Sequence, residues 1–106
     1  MKLSEEEQDM AFGYVIVQVD VKDQETFEAY RAQVPATIAQ YGGEYLVRGG
    51  KFEKLEGAEP LGRMVALKFP SYEQAKAWYH SEEYKGPKEL RQSCSVANAI
   101  LVEGVD

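Results

Sequence analysis

Cysteine and histidine are nearly absent from this sequence, with one of each, Cys94 and His80, in 106 residues. A single thiol allows no intrachain disulfide, and cysteine used this sparingly fits a reducing compartment such as the cytoplasm. One histidine and one cysteine make no standard metal site without several carboxylates, so neither metal nor cofactor is expected. Cys94 has no CxxC partner and no obvious activating base, and reads as an inert, packed thiol. No histidine–acid pair accompanies a nucleophile, which leaves serine-hydrolase chemistry unsupported. Positive charge is also short: 12 Lys and Arg stand against 18 Asp and Glu, for a net charge of −6. Without a basic stripe, nucleic acid and anionic membranes are poor partners. No apolar run approaches the roughly 20 residues that cross a bilayer. The opening "MKLSEEEQDMAF" is acidic and lacks the apolar centre of a secretory signal. Internal repeats and low-complexity tracts are missing too.

What is present is a globular composition, 44% hydrophobic and 11% aromatic, in a length that fits one domain. Residues 1–12 read as an N-terminal extension, either a short helix behind the capping box Ser4-x-x-Glu7 or a disordered segment. Residues 13–106 form the single domain. "GYVIVQVDV" (13–21) alternates, with Val15, Val17, Val19 and Val21 on one face and Tyr14, Ile16, Gln18 and Asp20 on the other, as a strand does. Asp23 is an N-cap for an amphipathic helix over 24–41, carried by Phe27, Tyr30, Val34, Ile38 and Tyr41. Pro35 predicts a kink or a two-part helix there, and Gly42 a C-terminal stop. Residues 44–48 make a second strand, with 51–55 a candidate continuation beyond the glycines. "RMVALKF" (63–69) is a third strand. Ser71-x-x-Gln74 opens a helix through Trp78 and Tyr79, and Ser81 caps another stretch that Gly86-Pro87 should split or offset. "SVANAILV" (95–102) is the last strand.

The order β-α-β-β-α-β specifies an α+β, ferredoxin-like sandwich: a four-stranded antiparallel sheet with its helices on one face. Strands one and three are apolar on both faces, so both faces should be covered. A second copy of the same sheet is the simplest cover, which predicts a homodimer through the helix-free face.

The segments "YRAQVPATIAQYGGEYLVRGGKFEKLEG", "AWYHSEEY" and "LRQSCSVANAILVEG", together with "GYVIVQVDV", resemble a small bacterial family, domain of unknown function 1330. The resemblance runs from about Gly13 to Gly104 and is carried most specifically by "LVRGG…LEG" and by Trp78-Tyr79 through Glu83-Tyr84. It implies membership of the dimeric α/β-barrel group, in which two ferredoxin-like sheets face each other. That group includes cofactor-free monooxygenases, muconolactone-type isomerases and haem-handling proteins, and fold alone does not choose among them.

Arg48 is the first candidate for chemistry, being a permanent charge after Tyr45-Leu46-Val47 in a strand expected well inside the sheet. Buried there, it needs a counter-charge. Either Glu56 or Glu53 supplies it, or an anionic group on a small ligand does. Gly49-Gly50 allow a bulge that re-aims Arg48. Trp78, Tyr79 and Tyr84, with Tyr30 as a neighbour, either pack the core or line a pocket for a flat organic molecule. His80 is the one ordinary acid–base group, although Trp78 and Tyr79 take the inner side of the helix and turn it outward. Arg91 either joins Arg48 at an anion site or pairs with Glu82 or Glu83. The function expected is a small cofactor-independent enzyme acting on a small organic acid or aromatic compound. The alternative is a non-catalytic, dimeric ligand-binding or structural module. Arg48, Tyr30, Trp78, Glu56 and Arg91 are the candidate ligand-binding residues, and Tyr79, Tyr84 and His80 the catalytic candidates.

Overall fold

In the computed structural model, which describes residues 11–105, four strands and three helices follow the expected order. They are β1 (Gly13–Val21), α1 (Gln24–Gln40), β2 (Glu44–Arg48), β3 (Arg63–Phe69), α2 (Tyr72–Tyr79), α3 (Glu82–Cys94) and β4 (Ser95–Glu103). The strands form one antiparallel sheet in the order β2-β3-β1-β4. This is the α+β, ferredoxin-like topology. The capping box at Ser4 lies outside the described residues. No helix among those described is long and apolar enough to cross a membrane.

The helix ends form as their side chains dictate. Asp23, Ser71 and Ser81 each accept a hydrogen bond from the backbone N–H three residues on, satisfying a donor the first turn leaves unpaired. At the other end of α1, Gly42 sits at φ +78. The N–H of Gly42 donates to the Ala39 carbonyl and that of Gly43 to the Ile38 carbonyl, the paired bonds of a Schellman closure. Neither proline divides its helix, so the two-part and split alternatives expected from sequence do not appear. Residues 24–40 form one helix through Pro35, and residues 82–94 form one helix through Pro87. Packing of each helix outweighs the single hydrogen bond a proline removes: Val34, Thr37 and Ile38 are buried around the first proline, and Pro87 is itself buried.

The core lies between the sheet and the helices. Val15, Leu67 and Phe69 from the sheet meet Val34 and Ile38 of α1, Trp78 of α2 and Tyr84 of α3. A smaller group, Val19, Phe27 and Cys94, extends it toward the C-terminal end of β1. The opposite sheet face is bare in the chain alone. Ile16 pairs with Ala66 on one side and Ile100 on the other. Ile100 is 59% exposed, and Val96 and Val102 on the same strand are also exposed.

Two expectations about β2 are corrected. Its place in the strand order makes it an edge strand rather than an inner one. It also ends at Arg48, and residues 51–55 run as an exposed loop. The irregularity in pairing falls between Tyr45 and Val47, ahead of the glycines.

Candidate functional site

That irregularity decides what β2 contributes. In a regular strand Tyr45 and Val47 would share a face and Arg48 would oppose them. With one extra residue at Leu46, Tyr45 pairs with Leu67 and Arg48 with Val65, both helix-facing positions of β3. A bulge thus turns Tyr45 and Arg48 to the same side. The Arg48 guanidinium lies 4.3 Å from the centroid of the Tyr45 ring, a cation–π contact. Arg48 itself is exposed at the sheet edge. The expected ion pair with Glu56 or Glu53 is not formed: among the described residues the loop's ion pair is Lys54–Glu59, and Glu56 is exposed in that loop. Burial was the reason to expect a protein counter-charge, and the edge position removes it.

Gly49 follows at φ +74, where a side chain would run into the guanidinium of Arg63. Arg63 therefore crosses the glycine and reaches the face of Phe27, 5.5 Å from its centroid. The Nε atom of Arg63 is buried and has no hydrogen-bond partner among the described residues.

On the helix side, Trp78 is 2% exposed and stacks on Tyr84 at 4.1 Å between centroids. Its indole N–H donates to the Thr37 hydroxyl, 3.0 Å away, and that hydroxyl donates to the Val34 carbonyl. The indole is thus satisfied inside the core. The Tyr84 hydroxyl has two neighbours, the Tyr30 hydroxyl at 3.0 Å and Arg91 Nε at 3.4 Å. Arg91 is 6% exposed. The expected pairing of Arg91 with Glu82 or Glu83 is not formed. Both glutamates are exposed on α3, and Glu83 accepts hydrogen bonds from Tyr41 and Gln40 instead. Arg91 is thus a charge turned inward among phenols, with no carboxylate among the described residues to answer it.

These side chains converge on a pocket between the sheet and the helices. It brings together Arg48, Arg91, Tyr30, Trp78, Tyr79 and Tyr84, and adds Arg31, Arg63 and Tyr45. Glu56 and His80 are not part of it. His80 ends α2, exposed, and lines a separate cavity of about 230 Å3 beside Lys76 and Ile100. Four arginines line the arginine pocket and, among the described residues, no aspartate or glutamate does. The one nearby carboxylate engaged by the set is Glu28, which pairs with Arg31 on the solvent side at 3.1 Å. The enclosed space is about 40 Å3, room for about three water-sized spheres at roughly 10–15 Å3 each. No group of three or more His, Cys, Asp and Glu side chains among the described residues is placed to hold a metal.

The pocket's polar groups are donors and positive charges. Burial, reinforced by Tyr84, holds the Tyr30 hydroxyl well above the ordinary phenol range, so it stays protonated near neutral pH. Burial also raises Tyr45, against the opposing pull of Arg48. Cys94 is buried under Arg91, its thiol 3.6 Å from the Arg91 carbonyl and likewise raised by burial, so it is a poor thiolate. Sequence reasoning missed Arg31, Arg63 and Tyr45. Arg63 was within reach, because it shares the inward parity of Val65, Leu67 and Phe69 on β3.

Fold and site together define a ferredoxin-like α+β protein with a cationic, phenol-lined pocket between sheet and helices. The chain belongs to the family described as a domain of unknown function (DUF1330), whose model matches residues 12–105. No curated protein matches it in sequence. Among solved structures it is similar to a protein of unknown function from Rhodopseudomonas palustris, with a TM-score of 0.72 and 15% identity over 92% of this chain and 85% of that one. It is also similar to a conserved protein of unknown function from Bacteroides thetaiotaomicron, described as a possible oxidoreductase (TM-score 0.61, 13% identity, 89% and 98% covered). A third is SnoaB, a cofactor-independent oxygenase from Streptomyces nogalater (TM-score 0.59, 12% identity, 87% and 91% covered). At these identities the likeness is one of fold.

Proposed function

We propose that the protein binds a small organic acid with a flat or aromatic body in the arginine pocket and acts on it without a cofactor. The observation that carries this reading is the buried Arg91, 6% exposed, whose guanidinium among the described residues bonds only to a phenol, at 3.4 Å. A buried charge is costly until something of opposite sign meets it. A carboxylate or enolate oxygen would do so, with the Tyr30 and Tyr84 hydroxyls as further donors and Trp78 and Phe27 as the apolar body of the pocket. Such a cradle stabilises negative charge as it develops on a bound molecule. The fold it shares with SnoaB hosts cofactor-independent oxygenation in that protein, which makes chemistry on a stabilised substrate anion the natural class. A non-catalytic binding role is the second reading, favoured by the protonated Tyr30 and by the exposed position of His80 outside the pocket, which leave the described lining without a ready base.

The partner reading rests on the bare sheet face. Its row Val47–Ala66–Ile16–Ile100 crosses all four strands in register. Two copies placed face to face bury that row in both chains at once, as a two-fold interface does.

Small carboxylates and phenols should be titrated against the purified protein by chemical-shift perturbation, and bound compounds then incubated in aerated, metal- and flavin-free buffer. Expected is a ligand that Arg91→Met no longer binds and that is converted to product seen by mass spectrometry. A ligand returned unchanged leaves the non-catalytic reading. If no carboxylate or phenol binds at millimolar concentration, the pocket reading falls.

A further inference from the structure

The arginines are not spread evenly around the pocket. Arg91 stands at the buried end, against the Tyr84 hydroxyl and backed by α3. Arg48 stands on the edge strand β2 and Arg63 on its neighbour β3, two residues apart on the helix-facing side, since Arg48 pairs with Val65 and Arg63 lies two positions before it. Arg31 joins them from α1, one turn beyond Phe27, the ring that Arg63 covers. The positive charges acting on the Tyr45 hydroxyl are those of Arg48, Arg31 and Arg63, whereas the positive charge acting on Tyr30 is that of Arg91. Between the two groups runs the hydroxyl pair of Tyr30 and Tyr84. The pocket therefore has one positive charge inside and three at its mouth, joined by phenols.

Resting on the reading above that the site takes an organic anion, we propose that its ligand is a dicarboxylate, one carboxylate held inside by Arg91 and the phenols and the other held at the mouth by Arg48 and Arg63. Three observations support this. A single carboxylate answers one end and leaves Arg48 and Arg63, which pair with no carboxylate among the described residues, unanswered at the other. The Nε of Arg63 is buried and without a hydrogen-bond partner among the described residues, so this guanidinium is incompletely satisfied by the protein. The cavity is small, about 40 Å3, and partly open, so a ligand larger than one head group extends toward the opening, where the second arginine group stands. Arg31 contributes less, because Glu28 already pairs with it. Specificity of this kind comes from unpaired polar groups: an analogue lacking the second carboxylate leaves charged donors unanswered.

The test is a calorimetric titration of the intact protein with benzoate, isophthalate, terephthalate, butyrate, succinate and glutarate. At least one dicarboxylate should bind about tenfold or more tightly than the monocarboxylate of the same frame. Arg48→Gln and Arg91→Met should each weaken that dicarboxylate by about tenfold, while the monocarboxylate loses affinity markedly in only one of the two variants. The ratio in the parent together with Arg48→Gln decides the matter even without Arg91→Met. Dicarboxylates and monocarboxylates binding within about threefold of each other would overturn the two-ended site while leaving an organic-anion pocket standing. Equal weakening of both classes by Arg48→Gln would overturn it as well. Binding of neither class would remove the organic-anion reading itself.

Discussion

The sheet of this protein is apolar on both sides, yet its two sides have different fates. On the helix side Val15 and Val19 are 3% and 2% exposed, and the space left over becomes a pocket. On the open side Ile100 and Val96 remain 59% and 52% exposed. The β1 sequence that feeds both faces is nearly symmetrical, three valines at the core of one side and Ile16 at the centre of the other. The difference arises because both crossovers, through α1 and through α2–α3, return over the same face. Burial on one side is thus intramolecular and obligatory for folding, while the other side is left exposed among the described residues, where the proposed second copy would cover it.

Trp78→Ala strikes the covered side hardest. It removes a buried indole stacked on Tyr84 and strands the Thr37 hydroxyl, so stability should fall by about 3–5 kcal/mol in urea unfolding. A loss under about 1 kcal/mol would mean the helix layer is far looser than its packing indicates. The open side is broken by Ile100→Glu, which places a charge in the middle of the proposed interface and, by symmetry, a second like charge near it. Light scattering should show the parent as a dimer at micromolar concentration, with the variant's dissociation constant raised about 100-fold or more. A parent that is monomeric there would end the dimer proposal.

Arg91→Met separates stability from function on the covered side. The substitution replaces an unanswered buried charge by a flexible apolar side chain of similar length, so stability should change by no more than about 1 kcal/mol. Ligand binding should be lost. A destabilisation of several kcal/mol would show that Arg91 is a structural keystone instead. Arg48→Ala should cost only about 0.5–1 kcal/mol, the worth of an exposed cation–π contact with Tyr45. That is far from the roughly 3–5 kcal/mol expected had it been half of a buried ion pair.

The smallest effect is one of pH. The folded-state pKa of Tyr30 is raised, so its contribution to stability is fully present below the unfolded phenol value near 10 and is lost as pH rises beyond it. Stability attributable to Tyr30 should be flat between pH 7 and 9 and decline above about 10. Tyr30→Phe should flatten part of that decline, and Tyr45 and Tyr41, also raised, should retain a remainder. Denaturant titrations at several pH values check this, and an unchanged alkaline slope in Tyr30→Phe would contradict it.

Much of the fold was legible because the signals are local. Period-two alternation places β1 and β3 on their observed residues, and Asp23, Ser71 and Ser81 announce their helices through bonds made within three residues. The proline breaks were misjudged for the converse reason: a proline's penalty is local, but the packing that overrides it comes from elements distant in the chain. The candidate site was half legible. Aromatic side chains at helical spacing pointed to Trp78 and Tyr84, and the inward turn of Arg91 followed from no local rule. Arg48 was noticed on a mistaken premise, burial inside the sheet, and its partner was sought in Glu56, only eight positions along. Its true neighbours are Tyr45, brought to the same face by a bulge that no residue type announces, and Arg63, which crosses Gly49 from the next strand.

The sequence by itself determined the order of elements, their caps and the double-sided apolar character of the sheet, because hydrophobic period, capping side chains and turn residues act within a few positions. Only the tertiary structure decided which strand is the edge, which way Arg48 points, and that four arginines from α1, β2, β3 and α3 share one pocket without a carboxylate among its described lining residues. Charge assembled from residues 15 to 60 positions apart leaves no periodic trace, since its arrangement depends on strand order, register and helix placement together.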